Sequence, residues 1–70
     1  MEILIVAYAE DDRVAWERVL TDSEARKARV LADVPDADRD LGIAYPLTEA
    51  DARTIADVPR GLAYFLEACH

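Results

Sequence analysis

Hydrophobic and polar positions divide the chain into a few short elements. Residues 2–9 form a nearly continuous apolar, β-branched run from Ile3 to Ala9, the pattern of a buried strand. A continuous run implies cover on both faces, or one face on the core and the other on a partner. After it, Val14, Ala15, Val19 and Leu20 recur at helical spacing. Asp11 or Asp12 stands where an N-cap belongs. Trp16 lies off that stripe, beside Leu20 at i+4. Farther on, Leu62, Phe65, Leu66 and Cys69 fall at i, i+3, i+4 and i+7, which predicts a C-terminal amphipathic helix.

Between these lies a phrase written nearly twice. Residues 20–35 and 47–59 both open on Leu-Thr-acid and close on Ala-Asp-Val-Pro. Thr21 with Glu24 has the spacing of a capping box, and Thr48 is followed by Asp51. Pro35 and Pro59 restrict the residue before them away from helical angles. Each copy therefore predicts a helix with its own start and stop. The segment 11–33 reads as two helices with a break or kink near Thr21, or as one helix from about 11 to 33 with the box unused. Residues 35–46 read as a loop in which 42–45 form a short second strand that can pair with the first.

These elements add up to an α+β fold in a single domain spanning residues 1–70. It has an N-terminal strand, with the short strand near 42–45 as its candidate partner, packed against three or four short helices. Without a second strand the first has an open edge, a feature that invites strand addition or a homodimer through that strand.

Composition narrows the function. Fifteen acids against eight bases give a formal charge of −7, which opposes binding to a phosphate backbone. The same charge suits a protein partner with a basic surface. Cys69 and His70 are the sole cysteine and histidine. An internal disulfide is thus excluded, and a Cys/His zinc site is unsupported. Adjacent at the chain end, the two lack the third orienting group that a nucleophile–base pair needs. Glu2, and no basic residue, precedes the first apolar run, which is too short to span a bilayer. A cytoplasmic, non-membrane location is expected.

Two motifs carry limited resemblances. Ala9, Glu10, Asp11 and Asp12 after an apolar strand resemble the first strand and acidic pair of receiver domains. There, clustered carboxylates hold magnesium. The chain departs from that family: Lys27, its one lysine, falls inside a helix, and 70 residues are too few for a doubly wound sheet. Asp36, Asp38 and Asp40 resemble the opening of an EF-hand loop. The turn glycine comes one place late, at Gly42, and Leu47 occupies the closing glutamate position. The acids are read as helix caps in the first case and as a solvated loop in the second. No metal, cofactor or catalytic residue is assigned.

The expectation is therefore a non-enzymatic protein-interaction module: an inhibitor, antitoxin or adaptor. One form is a phage-type charge mimic that blocks a nuclease or other nucleic-acid-binding protein. The candidate contact residues are Glu10, Asp11, Asp12, Trp16, Asp36, Asp38, Asp40 and Tyr45. The alternatives are a dimerisation or subunit domain of a larger bacterial complex, or a small metal-binding regulator.

Overall fold

The computed structural model describes residues 1–69; His70, with the Cys69–His70 pair considered above, lies outside the described residues. The element order is β1 (Glu2–Tyr8), β2 (Val14–Val19), α1 (Asp22–Leu31), β3 (Tyr45–Leu47), α2 (Glu49–Ile55) and β4 (Ala63–Cys69). The strands make one antiparallel sheet in the order β2-β1-β4-β3. The α+β class holds, with two helices among the described residues where three or four were expected.

Both helices follow their local signals. Thr21 is the N-cap of α1, and its capping box is complete. The Glu24 N–H donates to Thr21 Oγ1 at 3.2 Å, and the Thr21 N–H donates to Glu24 Oε1 at 2.9 Å. Thr48 caps α2, accepting from the Asp51 N–H at 3.1 Å. The exit of α1 is a Schellman motif. The Val34 N–H reaches back to the Arg29 carbonyl at 3.0 Å and the Asp33 N–H to that of Val30 at 3.2 Å. Asp33 takes the left-handed conformation, φ 56°, that this closure requires.

The segment 11–20 is not a helix. Glu10, Asp11 and Asp12 form a hairpin tip, and Val14–Val19 return as β2. The Asp12 N–H donates to the Ala9 carbonyl at 3.0 Å, and the Ala9 N–H to the Arg13 carbonyl at 2.9 Å. With Asp12 at φ 64°, this is a three-residue hairpin loop closed by a left-handed residue. The acids taken for helix caps are turn residues. Two valines and a tryptophan in the following run favour a strand once a neighbouring edge exists.

The C-terminal amphipathic helix is likewise overturned. Residues 63–69 are β4, a central strand that pairs with β1 from Glu2↔Cys69 to Tyr8↔Ala63. Burial alternates along it, with Tyr64 and Leu66 buried, a period of two and not 3.6. The helical spacing arose because Leu62, before the strand, and Cys69, at its end, happen to extend it.

The short strand near 42–45 is displaced to Tyr45–Leu47, and its partner is β4. β1 is paired on both sides, by β2 and β4. It has no free edge for strand addition or for a homodimer of the kind expected. The outer edges belong to β2 and β3.

The core lies between the helices and one face of the sheet. Ile5, Ala7, Tyr64, Leu66 and Leu47 supply the sheet side, and Ala25, Ala28 and Ala52 the helix side. Small alanines on the helices permit close approach to the sheet. Burying side chains of valine or leucine size contributes about 1.5–3 kcal/mol each, and Ile5 and Leu66 are fully buried. The helices are tied to each other where the Lys27 ammonium donates to the Thr54 carbonyl at 3.1 Å. Among the described residues no helix is long and apolar enough to cross a membrane.

Candidate functional site: the open face of the sheet

Directly opposite residues of an antiparallel pair share a face, so the register sorts the strand residues into two sets. Ile3, Ile5 and Ala7, with Trp16, Arg18, Tyr64 and Leu66, face the helices. Arg18 confirms the side, since its guanidinium contacts both carboxylate oxygens of Glu24 in α1, at 3.1 and 2.9 Å. The other set is Leu4, Val6 and Tyr8 on β1, Val14, Glu17 and Val19 on β2, Ala63, Phe65 and Glu67 on β4, and Pro46 on β3. None of these lies under a helix.

This second face is apolar at its centre. Val6 is 4% exposed yet stands outside the main core cluster. Its cross-strand partners are Glu17 and Phe65. Tyr8 meets Phe65 edge to face, ring centroids 5.6 Å apart, an arrangement favoured by the ring quadrupoles. The Tyr8 hydroxyl donates to Glu67 Oε2 at 2.5 Å. That hydrogen bond, and then burial, raises the Tyr8 pKa above its ordinary value. Val14 and Val19 on the β2 side are 53% and 45% exposed. At the hairpin end, Tyr8, Ala9, Asp12, Ala44, Ala63 and Phe65 line a shallow groove of about 430 Å³.

The eight residues expected at the interface are dispersed over three places. Glu10, Asp11 and Asp12 share the hairpin tip, where Asp12 borders the groove just described. Asp11 is held by the Arg13 guanidinium at 2.5 Å, with both side chains largely in solvent. An exposed pair of this kind contributes little to stability. Asp36, Asp38 and Asp40 lie on the 32–44 connection. Asp36 borders a separate hollow with Arg29, Val30 and Arg39, and Asp40 is exposed.

Asp38 is committed to the fold. It accepts from the Gly42 N–H at 2.8 Å and from the Tyr45 hydroxyl at 2.5 Å. The backbone N–H of Gly42, chiefly, holds its carboxyl below the usual range. Tyr45 is half-buried against the core, and so is Trp16, beside Ala7 on the helix side. The aromatic rings that border the open face are instead Tyr8 and Phe65. Their signal was present in the sequence: the continuous apolar run of residues 3–9 demands cover on two faces, and only one receives it from the helices.

Among the described residues, no three of His, Cys, Asp and Glu come together as a group that could hold a metal ion. Cys69 is exposed at the end of β4. The open face thus has an apolar centre with the carboxylates of Glu17 and Glu67 beside it. Searched against protein-family models, curated proteins and solved structures, the chain has no match.

Proposed function

We propose that this chain is a small acidic protein-interaction module, an inhibitor, antitoxin or adaptor, that engages its partner through the open face of the sheet. The observation that carries the reading is that Leu4, Val6, Tyr8 and Phe65 gather on a sheet face that no helix covers. An apolar patch with a polar rim marks an interaction surface more often than chance exposure does. Aromatic anchors such as Tyr8 and Phe65 are the residue types that dominate binding energy. The net charge of −7 suits a basic partner.

The size of the face sets a bound. Four strands spaced about 4.8 Å, of seven, six, three and seven residues, present on the order of 400 Å². A stable interface takes about 800 Å² from each partner. The hairpin tip and the β2 edge must then contribute as well, which brings Glu10, Asp11 and Asp12 back into the contact.

A second reading is a subunit or dimerisation domain. It is favoured by the outer edge of β2, a six-residue strand bordering the sheet. The test for the interaction-module reading is affinity capture from lysate of the source cell, using the wild-type chain and a Phe65→Glu variant whose circular dichroism shows it folded. A partner held by the wild type and lost with Phe65→Glu is the expected result. A partner held equally by both would sink the assignment to this face.

A further inference from the structure

We propose that the open sheet face receives a cationic amphipathic α-helix of a protein partner, lying along β1. The inference rests on the interaction-module reading and names the chemistry of what binds.

Half-buried Leu4 and Tyr8, with Val6 packed down between them, make an apolar track along the centre of the face, and exposed Val14 and Val19 extend it on the β2 side. Glu17 flanks Val6 from β2, Glu67 flanks Leu4 from β4, and Glu2 stands at the head of the track. Carboxylates therefore border the track on both sides. A helix with an apolar stripe places the residues that flank the stripe over those positions. Lysine and arginine suit them, because their long stems cover apolar surface while their charges reach the carboxylates.

No arginine or lysine stands among the open-face residues assigned by the strand register. Arg18 projects to the helix side and is engaged by Glu24, and Arg13 is engaged by Asp11. A second copy of this chain would set Glu2, Glu17 and Glu67 against the same three carboxylates. Nucleic acid would meet the same repulsion. A cationic occupant is the one whose charge the face complements.

The seven residues of β1 span about 24 Å, the length of a helix of about 16 residues. A helix laid on a sheet face is one of the recurring ways by which folds bury an apolar sheet surface.

The probe is a fluorescein-labelled 18-residue peptide with leucines at i, i+3, i+4 and i+7 and arginines on both flanks of that stripe. Two control peptides carry the same composition in scrambled order, or glutamates in place of the arginines. Fluorescence anisotropy on the full chain should show the arginine-flanked peptide binding at least tenfold tighter than either control. In methyl NMR spectra, Leu4, Val6 and Val19 should shift while Ile5 and Leu66, on the helix side, stay still. The Glu2→Lys/Glu17→Lys double variant, both sites exposed, should weaken binding at least tenfold with unchanged thermal melting.

Equal binding of the scrambled peptide would overturn the proposal, because bulk charge would then suffice. Binding of the glutamate-flanked peptide, or concentration-dependent dimerisation that moves the Leu4 and Val6 methyls, would overturn the cationic occupant and leave the interaction face standing. Silent open-face methyls throughout, together with capture indifferent to Phe65→Glu, would overturn both readings.

Discussion

The Tyr45 hydroxyl donates to Asp38 Oδ2 at 2.5 Å, while Asp38 Oδ1 accepts from the Gly42 N–H at 2.8 Å. One carboxylate thus closes the 32–44 connection onto the start of β3. Comparable roles fall to Glu24, which accepts from the Thr21 N–H, and to Glu49, which accepts from the Gly61 N–H at 2.9 Å. In each case the backbone N–H is the chief cause that holds the carboxyl below its ordinary range. Carboxylates depressed in the folded state stabilise the protein above their unfolded pKa of about 4. That contribution is lost as pH falls through the folded values. Urea melts between pH 7 and 2.5 should show stability declining on the acid side. Asp38→Asn should lower stability at pH 7 and flatten the acid slope. An unchanged slope in that variant would remove Asp38 from the account.

The opposite sign applies to two tyrosines. The Tyr8 hydroxyl is bonded to Glu67 and the Tyr45 hydroxyl to Asp38, and each bond favours the protonated phenol and raises its pKa. Stability from these bonds is present below the ordinary tyrosine value of about 10 and is lost as pH rises through the folded values. Absorbance titration at alkaline pH should show two phenols ionising above that value. Glu67→Gln should return the Tyr8 component toward it, and a titration unaffected by that change would contradict the Tyr8–Glu67 bond.

Asp33 sits in the left-handed region at φ 56° while closing α1. Glycine adopts that conformation without a Cβ penalty and is the favoured residue there. Asp33→Gly should raise stability by about 0.5 kcal/mol and Asp33→Val should lower it by about 1–2 kcal/mol. Chemical denaturation of both variants decides the matter, and a destabilised glycine variant would contradict the Schellman geometry.

The N-cap of α1 offers a second local test. Thr21→Ala removes the acceptor for the Glu24 N–H and should cost about 1 kcal/mol. Thr21→Ser should retain most of the wild-type stability. Equal loss in both variants would place the effect elsewhere than in the cap hydroxyl.

The period of β4 can be read by substitution. Leu66 is fully buried, and Leu66→Ala should cost about 2–5 kcal/mol. In a domain of this size, such a loss approaches the whole stability. Ala63→Thr, on an exposed strand position, should change stability by no more than about 0.5 kcal/mol. Hydrogen exchange should find the amides of both β1 and β4 protected as central strands, and rapid exchange along β4 would contradict its pairing with β1.

The two helices and β1 were legible in the chain because their signals are local. Thr21 and Thr48 start helices with side chains that reach only three residues ahead. The run of residues 3–9 is apolar at every position, and no context changes its meaning. β2 and β4 were not legible. A strand's hydrogen bonds come from elsewhere in the chain, and Glu2 pairs with Cys69 across almost its full length. Residues 14–19 and 62–69 hold apolar spacings compatible with either period, and the sheet edges offered by β1 selected the strand. The open face was half-legible: the two-sided apolar run of β1 called for it, but its other members could be assigned only once β2 and β4 had their register.

The near-repeat shows the division most clearly. By itself the sequence determined both helix entries, and Thr21 and Thr48 adopt almost the same backbone, φ −71° and −72°. It did not determine the exits, although both copies end on Ala-Asp-Val-Pro. In the first copy Ala32 stays helical and Asp33 turns left-handed; in the second, Ala56 is already extended at φ −145°. Tertiary packing decided between them. Val58 is drawn into the core, 4% exposed, whereas Val34 remains half-buried at the molecule's edge. An entry is fixed by one hydroxyl and the nearest free N–H groups, while an exit follows whichever apolar side chain the core has room to bury.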